Sequence, residues 1–320
     1  MATKKKTTAT KNNTVKLVGY LKENTLEQIT NTRGDQVIRG SLIIATDKIN
    51  SHKVQFYVAE TTSSGEESKD FVNLSALLPT NTITIASFLK ENPEADFETA
   101  ANASSKIWAM ARLDEYASRS GERVRSIVSL RGFRAGFSKA SSSPFTTCAE
   151  FNVDVYINNI APEFDGTEET GRVLIEGLIP KYNGSVDKVD FVAVAEDGIA
   201  DYIGRTYSVG DTVNLNGDVV NITERILVDS EGDDNHFGRA ASGPQYETKF
   251  IHELRICGGS KNPLKDGDEG AITAAEARDG LAAREVKMTE NGAKAAERAK
   301  ASPNPAPAKP TRQADSDLDF

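Results

Sequence analysis

The chain contains one β-rich unit twice, and this repeat constrains its fold more than any other feature. Each copy has, within successive strand-like runs, a tyrosine, a glycine and the lysine of a Lys-Val-x-Phe sequence: Tyr20, Gly40 and Lys53, then Tyr156, Gly177 and Lys188. The tyrosine and glycine are 20 residues apart in the first copy and 21 in the second, and the glycine and lysine are 13 and then 11 residues apart. Matched spacing across three strands predicts a duplicated domain.

The order of elements within each copy predicts the fold class. In the strand-like runs, β-branched and aromatic residues alternate with polar ones, which is typical of strands. After the third strand comes a partly helical insert, at 68–104 and at 199–204, and then two more strands. This is the order of the OB fold, a five-stranded Greek-key barrel, and a glycine in the second strand suits its sharp bend. We therefore predict an all-β chain with two tandem OB-fold barrels and a disordered C-terminal tail.

The sequence also predicts where these units begin and end. A small, polar stretch at 138–147 separates the copies, and Gly258 with Gly259 ends the second. We expect the following divisions: a basic disordered arm at 1–13, a first OB-fold domain at 14–139, a second at 148–258, and a flexible tail at 259–320 with an acidic tip at 315–320. Within the tail, residues 270–300 have few apolar side chains and predict a transient, solvated helix.

Charge is distributed unevenly along the chain, and this bears on the kind of partner. The formal net charge is −9, yet residues 106–139 hold eight basic side chains against three acidic ones. A concentrated basic stretch is an electrostatic footprint for a polyanion, because binding follows the local field more than the total charge. The lysines of the first thirteen residues are either an arm that folds over phosphate or an aid to solubility.

Composition and motifs argue against several classes of protein. No apolar run is long enough to span a membrane, and the basic start lacks the apolar stretch of a secretory signal, so we expect a cytoplasmic location, in the host if the chain is phage-encoded. Cys148 and Cys257 lie far apart, and the three histidines do not give zinc-ligand spacing. Nucleotide-binding, hydrolase and metalloprotease motifs are also missing. We therefore expect that the protein is not an enzyme and that it has neither a metal site nor a cofactor.

The candidate DNA-binding residues lie mostly on the last hairpin of the first copy. Single strands bind OB barrels by base–aromatic stacking and by cations along the phosphates, and arginine and aromatic residues are interleaved in this hairpin. The predicted set is Arg33, Arg39, Lys53, Trp108, Arg112, Tyr116, Arg119, Arg123, Arg125, Arg131, Phe133 and Arg134. Core packing remains the alternative for Trp108, and a solvated face remains the alternative for the cations. Packing is the favoured interpretation of Tyr20 and Tyr57, and Phe191 is expected in the core.

The second copy differs in its charge. Its strands carry many acidic residues and few arginines, which argues against nucleic-acid binding and leaves contact with a partner or a second copy as its alternative role.

The chain ends in an acidic tip closed by an aromatic residue. Its predicted partner-binding residues are Asp315, Asp317, Leu318, Asp319 and Phe320. Carboxylates around two apolar side chains suit a partner whose apolar pocket has a basic rim. The tip resembles the C-terminal interaction motif of bacterial and phage single-stranded-DNA-binding proteins, with Asp319 where the bacterial motif usually has proline.

The resemblance to that family implies a non-enzymatic function. A protein of this kind coats single-stranded DNA in replication, recombination or repair and recruits partner proteins through its tip. With two OB folds in one chain, a homodimer or a monomer would be sufficient. Two alternatives remain open: a structural or virion β-protein that assembles without nucleic acid, and an accessory subunit of an enzyme with an undetected metal site.

Overall fold

The structure is a computed structural model of the chain. It describes residues 11–62, 64–120, 123–138, 145–195, 198–228 and 245–301. Within these ranges the side chains at 117–120, 123–125, 224–228, 245–247 and 291–301 are not described. Most of the predicted basic arm and the whole of the acidic tip therefore lie outside the described residues.

The first unit consists of strands, a helical insert and two further strands. Its elements are β1 (Asn13–Asn24), β2 (Glu27–Thr30), β3 (Gln36–Ala45), β4 (Ser51–Ala59), α1 (Lys69–Ser75), a 3₁₀ turn (Pro79–Asn81), α2 (Ile85–Glu91), α3 (Phe97–Ala103), β5 (Lys106–Ser120) and β6 (Arg123–Phe137). Each helix of the insert has an N-cap side chain. Ser68, Thr84 and Asp96 accept hydrogen bonds from main-chain N–H groups in the first turns of α1, α2 and α3.

The second unit repeats this order with a shorter insert. Its elements are β7 (Cys148–Asp165), β8 (Glu168–Pro180), β9 (Val186–Ala193), α4 (Ile199–Thr206), β10 (Thr212–Val228) and β11 (Gln245–Gly259), followed by the long helix α5 (Ala274–Ala301). The chain is thus mostly β-structure, as predicted. None of the helices in the described part of the chain is both long and apolar enough to cross a membrane.

The strand pairings of each unit form a cycle. In the first unit β1 pairs with β3, β3 with β4, β4 with β6, β6 with β5, and β5 with β1. In the second unit β7, β8, β9, β11 and β10 pair in the same order, and β10 pairs with β7. One pair in each cycle is parallel, β4 with β6 and β9 with β11, and the other pairs are antiparallel. The repeat seen in the sequence is therefore a repeat of topology.

Alternation along the strands separates the core from the outer faces. In β1, Val15, Leu17 and Leu21 are buried, whereas Lys16 and Tyr20 on the opposite face are not. Most of the buried apolar side chains of both units belong to one continuous cluster. Phe191 is fully buried in it, as predicted, with its ring centroid 5.5 Å from that of Phe151.

The two matched glycines are required for different reasons. Gly40 has a φ of +130°, and a Cβ there would lie 2.2 Å from the main-chain oxygen of Thr25, so the bend predicted for the second strand is present. Gly177 does not have a positive φ. A Cβ there would instead crowd the side chains of Phe191 and Val155, at 3.0 and 3.1 Å.

The two units are joined through their first strands. β1 pairs with β7 in antiparallel register, with Val15 opposite Phe151. The offset of 136 residues between these two equals the offset between Tyr20 and Tyr156, so the pairing is centred on equivalent residues. The units are therefore related by an approximate twofold axis, as in an isologous dimer.

Helix α5 packs against the second unit, although its composition predicted a solvated helix. Ala277 is buried against Leu178 and Val186, and Leu281 packs beside it. Gly280 also approaches Val186, because a Cβ at this glycine would lie 2.5 Å from a methyl carbon of the valine. The sequence predicted a solvated helix because its small residues have little apolar surface to bury. The same small residues let the main chain of α5 come close to β8 and β9, so the first part of the helix docks.

Buried His52 makes the stability of the first unit sensitive to pH. Only 1% of its surface is exposed, and its Nδ1 has no hydrogen-bond partner among the described residues. Burial lowers the pKa of His52 from 6.5 to about 4, although the nearby Asp47 carboxylate opposes the shift. Between pH 6.5 and about 4 the imidazole of His52 is protonated in the unfolded chain but neutral in the folded chain. The contribution of neutral His52 to the free energy of unfolding is therefore complete above pH 6.5 and is lost as the pH falls towards 4.

We expect the free energy of unfolding to fall by about 3 kcal/mol from this group as the pH is lowered through that window. Denaturant unfolding at several pH values measures it, and His52→Gln should remove this part of the pH dependence. His236→Gln, which changes another histidine of the chain, is the control, because His252 itself helps to lower the pKa of His52. An unchanged pH dependence in His52→Gln would contradict the prediction.

Candidate nucleic-acid interface

The outer face of the first unit carries the candidate site. On β4, His52, Val54 and Phe56 are buried, so Lys53, Gln55 and Tyr57 point outward. On β5, Ala111 and Leu113 are buried and Arg112 is exposed between them. The same alternation places Arg131 outward on β6, next to buried Leu130 and Gly132. Four adjacent strands, β3, β4, β6 and β5, therefore present polar and aromatic side chains on one surface.

Strand register brings these side chains into two neighbouring rows. Arg39 on β3 lies opposite Tyr57 on β4, and Gln55 lies opposite Arg131 on β6. Arg131 lies in turn opposite Arg112 on β5. Directly opposed residues on one face of a sheet are close enough for their side chains to interact.

A cavity of about 310 Å³ opens where Tyr57 of one row meets Arg131 and Arg112 of the other. We call it the basic groove, and its lining includes Tyr57, Thr61, Ser68, Arg112, Arg131 and Phe133. The Arg112 guanidinium lies 5.2 Å from the centroid of the Phe133 ring, within the range of a cation–π interaction. Tyr57 is 54% exposed. The groove thus offers cations and accessible ring faces side by side.

Local irregularities in the strands shape the groove. The register between β5 and β6 shifts at Met110 and Ala111, which lie opposite Arg134 and Gly132. Phe133 is the extra residue on β6, and a β-bulge of this kind re-aims a side chain. Gly132 is required beneath it, because a Cβ there would lie 2.3 Å from the Phe56 ring.

Carboxylates neutralise several of the cations, but only at the surface. Arg39 contacts Glu27 at 2.7 Å, Arg134 contacts Asp70 at 2.8 Å, and Arg131 contacts Asp114 at 3.7 Å. More than half of each arginine side chain is exposed. Exposed ion pairs contribute roughly 0–1 kcal/mol, so a phosphate can replace the carboxylate at small cost.

The structure brings together only part of the predicted DNA-binding set. Arg39, Arg112, Arg131 and Phe133 lie at or beside the groove, and Lys53 is exposed further along β4. The remaining residues are distributed around it: Arg33 is exposed in the turn between β2 and β3, Arg134 faces α1 through Asp70, and Tyr116 is partly exposed on β5 beyond the groove. The backbones of Arg119, Arg123 and Arg125 lie in β5 and β6, and their side chains are outside the description.

Trp108 lies on the outer face of β5 and is half-buried. It alternates with buried Ile107 and Ala109, so the core alternative left open by the sequence does not apply. Its ring lies against Gly136, where a Cβ would be 3.2 Å from the indole. Tyr20, for which packing was predicted, does pack, because its ring meets Phe145 of the connecting segment at a centroid distance of 5.1 Å.

Tyr57 is the residue that sequence reasoning assigned wrongly. Packing was favoured for it, but the structure exposes its ring beside the groove. The signal was present in the sequence, because Tyr57 shares the parity of Lys53 in a strand whose other parity holds His52 and Phe56.

The equivalent surface of the second unit is different in the described residues. Its β8 and β9 are covered by α5 at Leu178 and Val186. Beside this contact Lys188 pairs with Glu176, and on β7 and β10 the Asn214 amide donates to Asn152 and Asp154 at 2.7 and 2.8 Å. By strand register, Asp218 takes the place of Arg112, whereas Arg255 takes the place of Arg131. Arg255 and Arg172 both pair with the Glu253 carboxylate.

Neither a metal site nor the tip can be placed on this surface. Within the described residues no group of three or more histidine, cysteine or carboxylate side chains has the geometry to hold a metal ion. The predicted partner-binding residues Asp315, Asp317, Leu318, Asp319 and Phe320 lie outside the described residues.

Comparison with known proteins gives one family and several distant solved structures. No curated protein matches the chain. The wild-type single-stranded DNA binding protein from Thermus aquaticus is similar at 12% identity, with a TM-score of 0.42, over 81% of this chain and 98% of that one. A deletion mutant of the same protein gives 12% identity and a TM-score of 0.44 over 81% of this chain and 97% of that one. The model of the YorF family matches residues 11–292, which include both units and the docked part of α5. The chain belongs to the YorF family.

Proposed function

We propose that the first unit binds single-stranded DNA along the basic groove, without sequence specificity and without catalysis. The observation that carries this proposal is the surface of four adjacent strands on which the pair of Arg39 and Tyr57 lies beside the row of Gln55, Arg131 and Arg112. Cations that follow the phosphates and rings that stack on bases are the two components of such binding. A single strand presents both groups to one surface, whereas the stacked bases of a duplex are not available to Tyr57.

The topology supports a finer assignment of the fold. Each pairing cycle has five strands, with the fourth and fifth in antiparallel register and the third parallel to the fifth. We infer that each cycle is an OB-fold barrel, in which β2 is an additional strand of the first. In that fold, nucleic acid lies on the face of strands two and three and beside the loop between strands four and five. These correspond to β3, β4 and the β5–β6 hairpin, where the groove lies.

The proposal assigns different roles to the two units. On the second unit Asp218 stands at the position of Arg112, and the exposed acidic residues of its outer face would repel phosphate. One chain would then offer one binding surface. A role in replication, recombination or repair, and recruitment of partners through Asp317, Leu318 and Phe320, are further parts of the proposal that rest on the resemblance of the tip.

The direct test is binding of oligothymidine, monitored by the fluorescence of Trp108, the single tryptophan of the chain. A strand in the groove alters the surroundings of this half-buried ring, so we expect a change in emission that saturates and weakens with salt. Duplex DNA of equal length is the control and should compete poorly. Large assemblies without DNA, together with no response to oligothymidine, would favour the structural β-protein instead.

Removing the Tyr57 ring should weaken binding without unfolding the protein. Stacking of a base on an aromatic side chain contributes roughly 1–3 kcal/mol, so Tyr57→Ala should raise the dissociation constant about 5- to 150-fold. Tyr57→Phe keeps the ring and should bind like the parent chain. Tyr182→Ala, which removes a fully exposed tyrosine in a turn of the second unit, is the matched control. Equal affinities for Tyr57→Ala and Tyr182→Ala would place the strand elsewhere.

Removing a groove arginine should change the salt dependence of binding. Each contact with a phosphate of a single strand contributes about 0.7 to the slope of log K against log salt. Arg112→Gln and Arg131→Gln should therefore each lower the slope by roughly that amount. Arg205→Gln removes the same charge from an exposed position on α4 and should leave the slope unchanged. Titrations of a fluorescent oligonucleotide at several salt concentrations give the slopes, and a loss common to all three variants would contradict a local contact.

A further inference from the structure

The hairpin of β5 and β6 extends beyond the first unit. β5 pairs with β1 only from Lys106 to Ala111, and β6 pairs with β4 only from Leu130 to Gly132. Past these limits the Asn13 side chain of β1 still bonds both main-chain groups of Leu113 at 2.9 Å. Beyond Leu113 the described strands form β-pairs only with each other, as far as Ser120 opposite Arg123. A two-stranded ribbon without further support is marginally stable in water. Its position relative to the groove therefore depends on contacts near its base.

Two adjacent residues at that base are held by the second unit. The Asp114 carboxylate accepts from the Lys181 ammonium at 2.8 Å, and Lys181 also contacts the buried Asp187 at 2.6 Å. Beside it, the Glu115 carboxylate accepts from the main-chain N–H of Lys188 at 2.9 Å. The β8–β9 turn and the start of β9 thus fix the base of the hairpin through charge-assisted hydrogen bonds.

α5 holds the same point from the other side. The Arg284 Nε donates to Glu115 at 2.6 Å, and a second guanidinium nitrogen donates to the other carboxylate oxygen. The Glu115 side chain is 1% exposed. Burial would raise the pKa of Glu115, but the hydrogen bonds from Arg284, Ser126 and the Lys188 amide outweigh it and hold this pKa below its ordinary value. The carboxylate is therefore ionised, and Arg284 is the side-chain cation bonded to it among the described residues.

The same base region is continuous with the groove. Asp114, bonded to Lys181, also contacts Arg131 at 3.7 Å, and the next outward residues on β5 are Arg112 and Tyr116. A rotation of the hairpin about its base would therefore move a cation of the groove and the aromatic residue beyond it. The β5–β6 hairpin thus both bonds to α5, through Glu115, and contributes Arg112 and Arg131 to the basic groove.

We propose that Arg284 of α5 is a positioning residue for single-stranded DNA binding, which acts by fixing the β5–β6 hairpin through Glu115. This inference rests on the proposed function. Arg284 contacts no nucleic acid in this scheme. Its effect is preorganisation, since a hairpin that is already fixed loses less conformational freedom when a strand binds.

The experiment compares two substitutions that remove the same charge from the same helix. Arg284→Gln removes the anchor, whereas Arg278→Gln changes an arginine whose side chain is 80% exposed and pairs only with its neighbour Asp279 among the described residues. We expect Arg284→Gln to lower the affinity for oligothymidine by roughly 3- to 10-fold, as for a loss of preorganisation. Its salt slope should stay at the parent value, because no phosphate contact is lost. Arg278→Gln should match the parent chain in both respects.

Hydrogen exchange without DNA provides a second readout. Amides of residues 112–131 should exchange faster in Arg284→Gln than in the parent chain or in Arg278→Gln. If the single variant unfolds because Glu115 is left uncompensated, the Glu115→Gln, Arg284→Gln double variant removes the buried charge and keeps the test available. The double variant should show the same loss of affinity and faster exchange.

Parent-like affinity and exchange in Arg284→Gln would overturn the inference and leave the proposed function intact. A reduced salt slope would also overturn it, because Arg284 would then be a direct phosphate contact. If the parent chain fails to bind oligothymidine, the proposed function fails. The exchange measurement would still show whether Arg284 fixes the hairpin.

Discussion

The antiparallel pairing of β1 with β7 is the constraint on which the rest of the structure depends. It joins equivalent strands of the two units, with Val15 opposite its repeat equivalent Phe151. An approximate twofold axis at this point places the β5 base of the first unit and the β10 base of the second at related positions between the units. The base of β5 in the first unit meets the β8–β9 turn through Asp114 and Lys181, and β10 in the second meets the β3–β4 turn, where the Asn221 amide donates to the Ser51 main-chain oxygen at 2.5 Å.

The symmetry of the backbone is not matched by symmetry of the surfaces. Both outer faces are partly covered, by α2 and α3 at Tyr20 in the first unit and by α5 at Tyr156 in the second, but the first unit also exposes Arg39 and Tyr57. Two copies that share one topology have therefore taken two surface chemistries. A buried core tolerates this divergence, because outward-facing residues on a strand can change while the inward-facing ones retain their packing.

Much of the fold could be predicted from the sequence, because its main signals are local. Alternation and the matched spacing of Tyr20 and Gly40 with Tyr156 and Gly177 predicted the duplicated, mostly β-structure that the pairings show. The site could be predicted only in part. Alternation alone would have placed Tyr57 outward, but the composition of the strand favoured packing. Which cations share a surface depends on register between β3, β4, β6 and β5, which no single segment specifies.

The docking of α5 shows why the remaining part was not predictable. A helix is expected to dock when a continuous apolar stripe faces the core, and α5 has no strong stripe of that kind. It docks through Ala277, Gly280 and Leu281, where small side chains permit close approach, and through Arg284, which compensates the buried charge of Glu115. Removing one partner of such a buried pair costs about 3–5 kcal/mol, more than a surface ion pair contributes. The partner that fixes the helix, Glu115, thus lies 169 residues earlier in the chain, on a strand of the other unit. The sequence of α5 alone does not predict this contact.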